Sequence, residues 1–475
     1  MNLLLGIALA YPALNPTLTL AQAQADFDLM RRAIQEAHAG FDRYAPRAEM
    51  ARDLDDARRR LRDGMPLPEF SRVVAESMVR IRCGHTHWRL DPDTQRALDA
   101  APILPLQVAV EGSRPVVAWN NSPEDRSIRP GMEIVSINGR SAASLLRSMG
   151  RVTPRDGFSA AGERTVIGWR FAENYWWLVE RGSEFAVTAR TEDGRTIRAR
   201  LMGRSRKAPA AENPVNAPAQ AARERQRWWT GGRGVRFLEN GGVAQLRIDS
   251  FRGDDFPKWL DHTFRDLREK HVRALVIDLR GNGGGDDNYG SLLVAHLTDR
   301  PFRYFDRIWM PTLVPSFREH TNFPNDPKVM RELREKTKRA ENGGFLVTSA
   351  LHAGVGDQAP AKESFGGKVF VLTDGGTFST AADVCAVLRS MRRATFIGEE
   401  TGGAYEGNNS GLSTMVTLPN SKFQFNLPMF RYTNAVTPDR RGRGTMPHHV
   451  VPGRLTDGLR GVDRALEKAL ALSRR

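Results

Sequence analysis

The sequence predicts an α/β protein built on a mostly parallel sheet, and three features of it carry that expectation. Leu275–Asp287 (LVIDLRGNGGGDD) is a short apolar run, a glycine-rich turn and the start of a helical pattern. Val369–Cys385 (VFVLTDGGTFSTAADVC) repeats that order about ninety residues later. Between Gly234 and Ile397, strand-like and helix-like segments alternate, as in sheets whose parallel strands are joined by helical crossovers. Such turns deliver backbone N–H groups and a side chain to one edge of the sheet.

The 475 residues exceed one ordinary core, so several domains are expected. Residues 1–25 read as an export signal, with an apolar segment and small residues at Ala23 and Ala25 in an A-x-A pattern, although no basic residue precedes the segment and Pro12 and Pro16 interrupt it. This implies a periplasmic or secreted protein. Residues 26–100 form a helical cap: Phe27, Met30, Ile34 and Ala37, then Met50, Leu54, Ala57 and Leu61, then Phe70, Val74 and Ile81 keep helical spacing. From Ala101 the period changes. Leu104, Leu106, Val108 and Val110 alternate as a half-buried strand, Val116–Trp119 forms its hairpin partner, and Ile128–Leu146 adds a strand, an Asn138-Gly139 turn and a helix start. Residues 203–230, rich in alanine, proline and basic side chains, read as a linker, and 231–475 as the core. Within that core, Pro301–Asn342 reads as a surface flap, and Ala465, Leu466, Ala469 and Leu470 mark a final helix.

Composition narrows the function. Lys and Arg exceed Asp and Glu by 70 − 55 = 15, but the basic residues are scattered and no nucleic-acid motif appears, so no nucleic-acid partner is expected. No internal stretch is long and apolar enough to span a membrane. Two cysteines, Cys83 and Cys385, exclude a disulfide-stapled scaffold; they read as buried thiols, or as a bridge if their segments share one site.

The chemistry sits in the two glycine-rich turns. Acyl transfer to a hydroxyl needs a nucleophile, a proton acceptor and donors for the oxyanion. Ser379 lies at a strand-to-helix turn, where a helix N-terminus favours developing negative charge. The N–H of Thr380 and the glycines Gly284 and Gly285 are expected to hold the oxyanion, since a backbone without Cβ lets an oxygen approach. No lysine follows the NGGG run as in a P-loop, and there is no G-x-S-x-G elbow.

At these residues the chain resembles the C-terminal-processing, or tail-specific, serine peptidases and their tricorn-core relatives. Asp278–Gly285 (DLRGNGGG), Thr377–Asp383 (TFSTAAD) and Gly398–Thr401 (GEET) match that family's motifs in order. The resemblance implies a crotonase-like core carrying a nucleophile at Ser379. It also identifies residues 101–202 as PDZ-like, because Ile128–Leu146 resembles the G-D-x-I-x-x-I-N-G segment with Met132 where aspartate is usual. Tail-specific members place a lysine base where this chain has Ala404, and no lysine lies between Lys368 and Lys422. The tricorn branch uses an earlier histidine instead, and Gly84-His85-Thr86 looks like that element, which makes His85 the base. An imidazole is well placed to take a serine proton.

That branch orients its histidine with a late glutamate. Arg441 stands roughly at the corresponding position and His448 replaces the usual aspartate. Glu400 is the acid named for the role, with Glu406 and Asp439 as alternatives. His85 and His87 show no third metal-ligand type at suitable spacing, so neither metal nor cofactor is expected. The function implied is serine-type hydrolysis of peptide bonds in a peptide or unfolded protein, engaged in part through its C-terminus. The alternative is an inactive protein on the same scaffold that binds a peptide or small apolar ligand.

Overall fold

Apolar runs bounded by glycine turns become the central sheet of the core. Its strands are β1 (Arg233–Leu238), β2 (Val243–Ile248), β3 (Ala274–Asp278), β4 (Lys368–Thr373), β5 (Thr395–Gly398) and β6 (His449–Val450), side by side in that order. The β1–β2 pair is an antiparallel hairpin around Asn240-Gly241, and every later pairing is parallel. All five residues of β3 are buried, as expected for a parallel strand covered on both faces. The helix Phe256–Glu269 crosses from β2 to β3 and buries Phe256, Leu260, Phe264 and Leu267. The computed structural model describes residues 16–475 apart from 226–227, 230 and 325.

A second sheet reshapes two expectations. Pro301–Asn342 is not a free flap. Its strand Phe305–Met310 pairs antiparallel with the long strand Gln424–Asn434, and Phe305, Phe317 and Phe323 are buried. Gln424–Asn434 also pairs with Asn409–Thr417 and, through Gln424 and Phe425, with the short strand Trp88–Arg89. Apolar side chains spaced irregularly within a charged stretch hid this sheet from pattern reading.

The cap consists of α1 (Leu20–Ala37), α2 (Arg47–Arg58) and α3 (Leu67–Val79), with every apolar position named for it buried. It begins earlier than expected. Thr19 caps α1 in a full capping box with Gln22, Thr17–Leu18 pairs with Met65–Pro66, and Ala23 is wholly buried. Residues 17–25 therefore belong to the cap, because they continue its first helix and pairing strand and bury Leu18 and Ala23 in its core. The export reading otherwise falls on residues 1–15, outside the described residues. Asp26, fully buried in α1, accepts from the Asn420 and Ser421 N–H groups at 3.0 and 2.6 Å, so the cap is fastened to the core across almost four hundred residues of chain.

Residues 101–202 form a six-strand antiparallel sheet: five strands in the order Leu106–Glu111, Arg114–Asn120, Glu133–Ile137, Glu184–Arg190, Thr196–Met202, with the short strand Arg140–Ser141 paired to Glu133–Ile137. Asn138 and Gly139, both at positive φ, turn the chain after Glu133–Ile137. The expected helix start becomes Ala142–Gly150, and two further helices, Ala160–Trp169 and Phe171–Leu178, follow before the sheet resumes at Glu184. The linker is partly built into this unit: Asn216 exchanges hydrogen bonds with the Asn120 backbone at 2.9 and 2.8 Å, and Ala217–Arg225 is a helix. Among the described residues no helix is long and apolar enough to cross a membrane.

Candidate active site

The two glycine-rich turns follow β3 and β4, which are neighbours in the sheet, so both emerge at its C-terminal edge. Direct bonds weld them together. Phe378 N–H donates to Asn282 O at 2.9 Å, the Thr377 hydroxyl to Leu279 O at 2.9 Å, and the Thr380 hydroxyl to Gly285 O at 3.0 Å and Asp287 Oδ1 at 2.7 Å. Ser379 precedes the helix Thr380–Ser390 at φ 53°, ψ −134°, a conformation a residue with a Cβ adopts only at a cost of about 1–3 kcal/mol. That strain is held by the surrounding bonds and turns the hydroxyl outward at the helix N-terminus.

The glycines have separate duties. Gly284, at φ 101°, passes so close that a Cβ there would lie 2.6 Å from Ser379 Cβ and 3.0 Å from Thr380 N. Its own N–H donates to Asn282 Oδ1 at 2.8 Å, so that group is spent within the loop. A Cβ on Gly285 would sit 2.1 Å from Phe251 O. Among the described residues the N–H groups of Thr380, Gly283 and Gly285 make no bond within the protein.

His85 arrives from the cap. Its Nε2 lies 3.1 Å from Ser379 Oγ, across 294 residues of sequence. The loop that carries it turns at Arg82, at φ 58°, and is pinned on several sides. Gly84 N–H donates to Asp156 at 2.7 Å, Asn426 Nδ2 to His85 O at 2.9 Å, and Asn426 N–H to His87 O at 2.8 Å. On the cap side, His38 Nδ1 accepts from Gly40 N–H, so its Nε2 carries the proton given to the Thr86 hydroxyl at 2.7 Å. The Phe378 ring lies against the imidazole with centroids 4.6 Å apart. Burial, helped by the nearby His87, lowers the His85 pKa to about 4, which keeps the ring neutral and able to accept a proton at neutral pH.

The acid expected beside His85 is elsewhere. Glu400 gives both oxygens to other groups, accepting from Arg443 Nε and a terminal nitrogen at 2.8 and 2.7 Å and from Gly444 N–H at 2.8 Å. It makes no bond to His85, because both oxygens are held by Arg443 and Gly444. Glu406 caps Gly442 N–H at 2.9 Å, and Asp439 is exposed. Arg441 donates to Arg43 O, His448 Nδ1 accepts from Phe396 N–H at 2.8 Å, and Ala404 is buried.

Folding does bring further ligand-type groups to His85. Cys83, His85 and Asp156 each place a potential metal-ligand atom within 4.8 Å of the others, an arrangement that sequence spacing did not show. Burial raises the Cys83 thiol to about 12, leaving it protonated and a poor metal ligand. Cys83 and Cys385 are both free and buried, so no disulfide joins them.

Residues 242–451 match the sequence model of Peptidase family S41. This core belongs to peptidase family S41. The chain is accordingly a serine peptidase, and beyond the matched residues its fold is like that of solved structures. A structure of mature CPAF superposes with a TM-score of 0.64 at 15% identity, covering 96% of each chain. A second, of mature CPAF complexed with lactacystin, gives 0.67 at 16% identity, covering 96% of this chain and 98% of that one. At such identity the likeness is one of fold. No curated protein matches the sequence.

Proposed function

We propose that the S41 core hydrolyses peptide bonds with Ser379 as nucleophile and His85 as general base. The single observation carrying this reading is the 3.1 Å approach of His85 Nε2 to Ser379 Oγ at a helix N-terminus. Ser379 attacks the scissile carbonyl while His85 takes its proton, then returns that proton to the leaving amine. The oxyanion is held by Thr380 N–H and by the N–H of Gly283 or Gly285. Gly284 contributes by its missing Cβ, since its N–H is engaged by Asn282.

The substrate is a peptide or unfolded segment presented C-terminus first. In support, a cleft of about 750 Å³ between α3 and the PDZ-like unit is lined by Arg80, Arg82, Arg147, Arg151 and Arg155 and runs to the loop that carries His85. Guanidinium groups suit a terminal carboxylate. Export remains part of the reading, with processing upstream of Thr17; N-terminal sequencing of the mature chain checks it.

Fluorophosphonate labelling tests the chemistry. Selective modification at Ser379, lost in Ser379→Ala and slowed in His85→Ala, is the expected result. A serine inert to the probe in a protein that binds peptide without cleaving it would favour the inactive binder instead.

A further inference from the structure

To accept the serine proton, His85 Nε2 must be bare, so Nδ1 carries the ring's hydrogen and needs an acceptor. Nδ1 is buried and has no partner within the protein. Asp156, 2% exposed, neighbours His85: one ligand-type atom of each residue lies within 4.8 Å of the other's, and Asp156 Oδ2 is likewise buried without a hydrogen-bond partner. A buried donor and a buried acceptor, each unfavourable if left unpaired, thus lie on neighbouring residues. The other carboxylates around the site are committed. Glu400 is held by Arg443 and Gly444, Asp383 by Asn408 and Asn434, and Asp287 by the Thr380 hydroxyl and His352.

We infer that Asp156 is the positioning acid of this peptidase, holding the His85 Nδ1–H through Oδ2 directly or through one water. The inference rests on the Ser379–His85 reading above. Asp156 comes from neither cap nor core but from the segment after the PDZ-like helix Ala142–Gly150. That segment straps the other two units together: Gly157 N–H donates to Arg82 O at 3.0 Å, Phe158 N–H to Gly442 O at 2.6 Å, and the Ser159 hydroxyl to Thr401 O at 2.8 Å. The catalytic array is therefore complete only when all three units are docked. Asp156 Oδ1 meanwhile accepts from Gly84 N–H, so one carboxylate sets both the backbone and the ring of the base loop.

The charge environment gives the test its signature. Burial raises the Asp156 pKa to about 6, opposed by the N–H groups of Gly84 and Ala404 and by Arg43, and assisted by Glu406. His85 faces His87 and Asp287, and the Cys83 thiol beside both stays neutral. Activity should then fall as pH drops through about 6, where Asp156 takes a proton, well above the point at which His85 itself does.

The decisive variant is Asp156→Asn, whose amide oxygen still accepts from Gly84 N–H but whose charge is gone. In the full chain, kcat at pH 7 is expected to drop on the order of 10²–10³-fold with KM within about twofold, the limb near pH 6 disappearing, and Asp156→Glu restoring part of the rate. Fluorophosphonate labelling of Ser379 should slow by a similar factor. If Asp156→Asn keeps wild-type kcat and pH profile while Ser379→Ala and His85→Ala are dead, Asp156 only braces Gly84 and the inference is overturned. If those two variants stay active, the Ser379–His85 reading fails instead. Should Asp156→Asn not fold, ¹⁵N NMR of selectively labelled wild-type histidine decides: a His85 Nδ1 signal that titrates near pH 6 supports the role, and one that ignores that range removes it.

Discussion

The Ser379 turn and the His85 loop meet at 3.1 Å but are held in opposite ways. Ser379 is placed by its own neighbourhood: a buried strand, a glycine turn and a helix within twenty-three residues, welded to the adjacent strand's turn. His85 is placed by contacts from outside its own loop: Asn426 near the far end of the chain, Asp156 from another unit, and His38 of the cap acting through Thr86. A locally coded element tolerates distant changes, whereas an element clamped from a distance is only as secure as its clamps. The proposed nucleophile is thus a property of the core, and the proposed base a property of the assembly.

Perturbations of the two halves should separate accordingly. The largest effect is expected from Ser379→Ala, a loss of kcat on the order of 10⁴-fold or more with the melting temperature unchanged, checked by peptide hydrolysis and calorimetry. His85→Ala should cost about 10³–10⁴-fold in kcat. A melting temperature falling together with activity would show that the loop supports the cap as well as the chemistry.

Gly285→Ala attacks the nucleophile side through packing. Its Cβ would lie 2.1 Å from Phe251 O at φ 151°, so chemical denaturation should report a loss of about 1–3 kcal/mol, and activity should fall with it. Substitutions in the cap should leave that turn intact.

Acid should loosen the base side first. Burial depresses His38 to about 3 and His85 to about 4, while the unfolded chain titrates near the ordinary 6.5. For these two rings the unfolded state therefore binds protons first, so their contribution to stability is full above about 6.5 and declines as pH falls toward 4, offset in part by Asp156, which burial raises to about 6. The slope is up to about 1.4 kcal/mol per pH unit for each ring. Hydrogen exchange should show protection of residues 82–87 falling across that window while residues 369–385 stay protected. Equal loss in both segments would break the comparison.

The smallest effect belongs to Asn426→Ala, which removes one tether on the His85 carbonyl. A cost of about 1 kcal/mol and a kcat reduction of about tenfold are expected, with KM little changed.

Legibility followed the same division. The apolar faces of the cap helices, the β1–β2 hairpin and the strand–turn–helix around Ser379 could be read because each is set by residues close in sequence. His85 was legible only through the GHT resemblance, since nothing near it in sequence marks a base. Glu400 misled because a motif position says where the backbone runs, not which partner closes on the side chain; here Arg443 does. Asp156 carried no signal at all. An aspartate before Gly157 and Phe158 looks like any turn, and only burial beside an unpartnered imidazole gives it meaning.

The amino-acid order alone therefore determined the α/β core, the helical cap, the sheet-rich unit between them and the serine at a glycine-built turn. These follow from periodicity and turn chemistry over a few residues. The tertiary structure alone decided that Pro301–Asn342 joins a sheet, that residues 17–25 pack into the cap, and which carboxylate stands free beside His85. Such outcomes depend on which groups meet after the chain closes loops of hundreds of residues, and no local pattern encodes that.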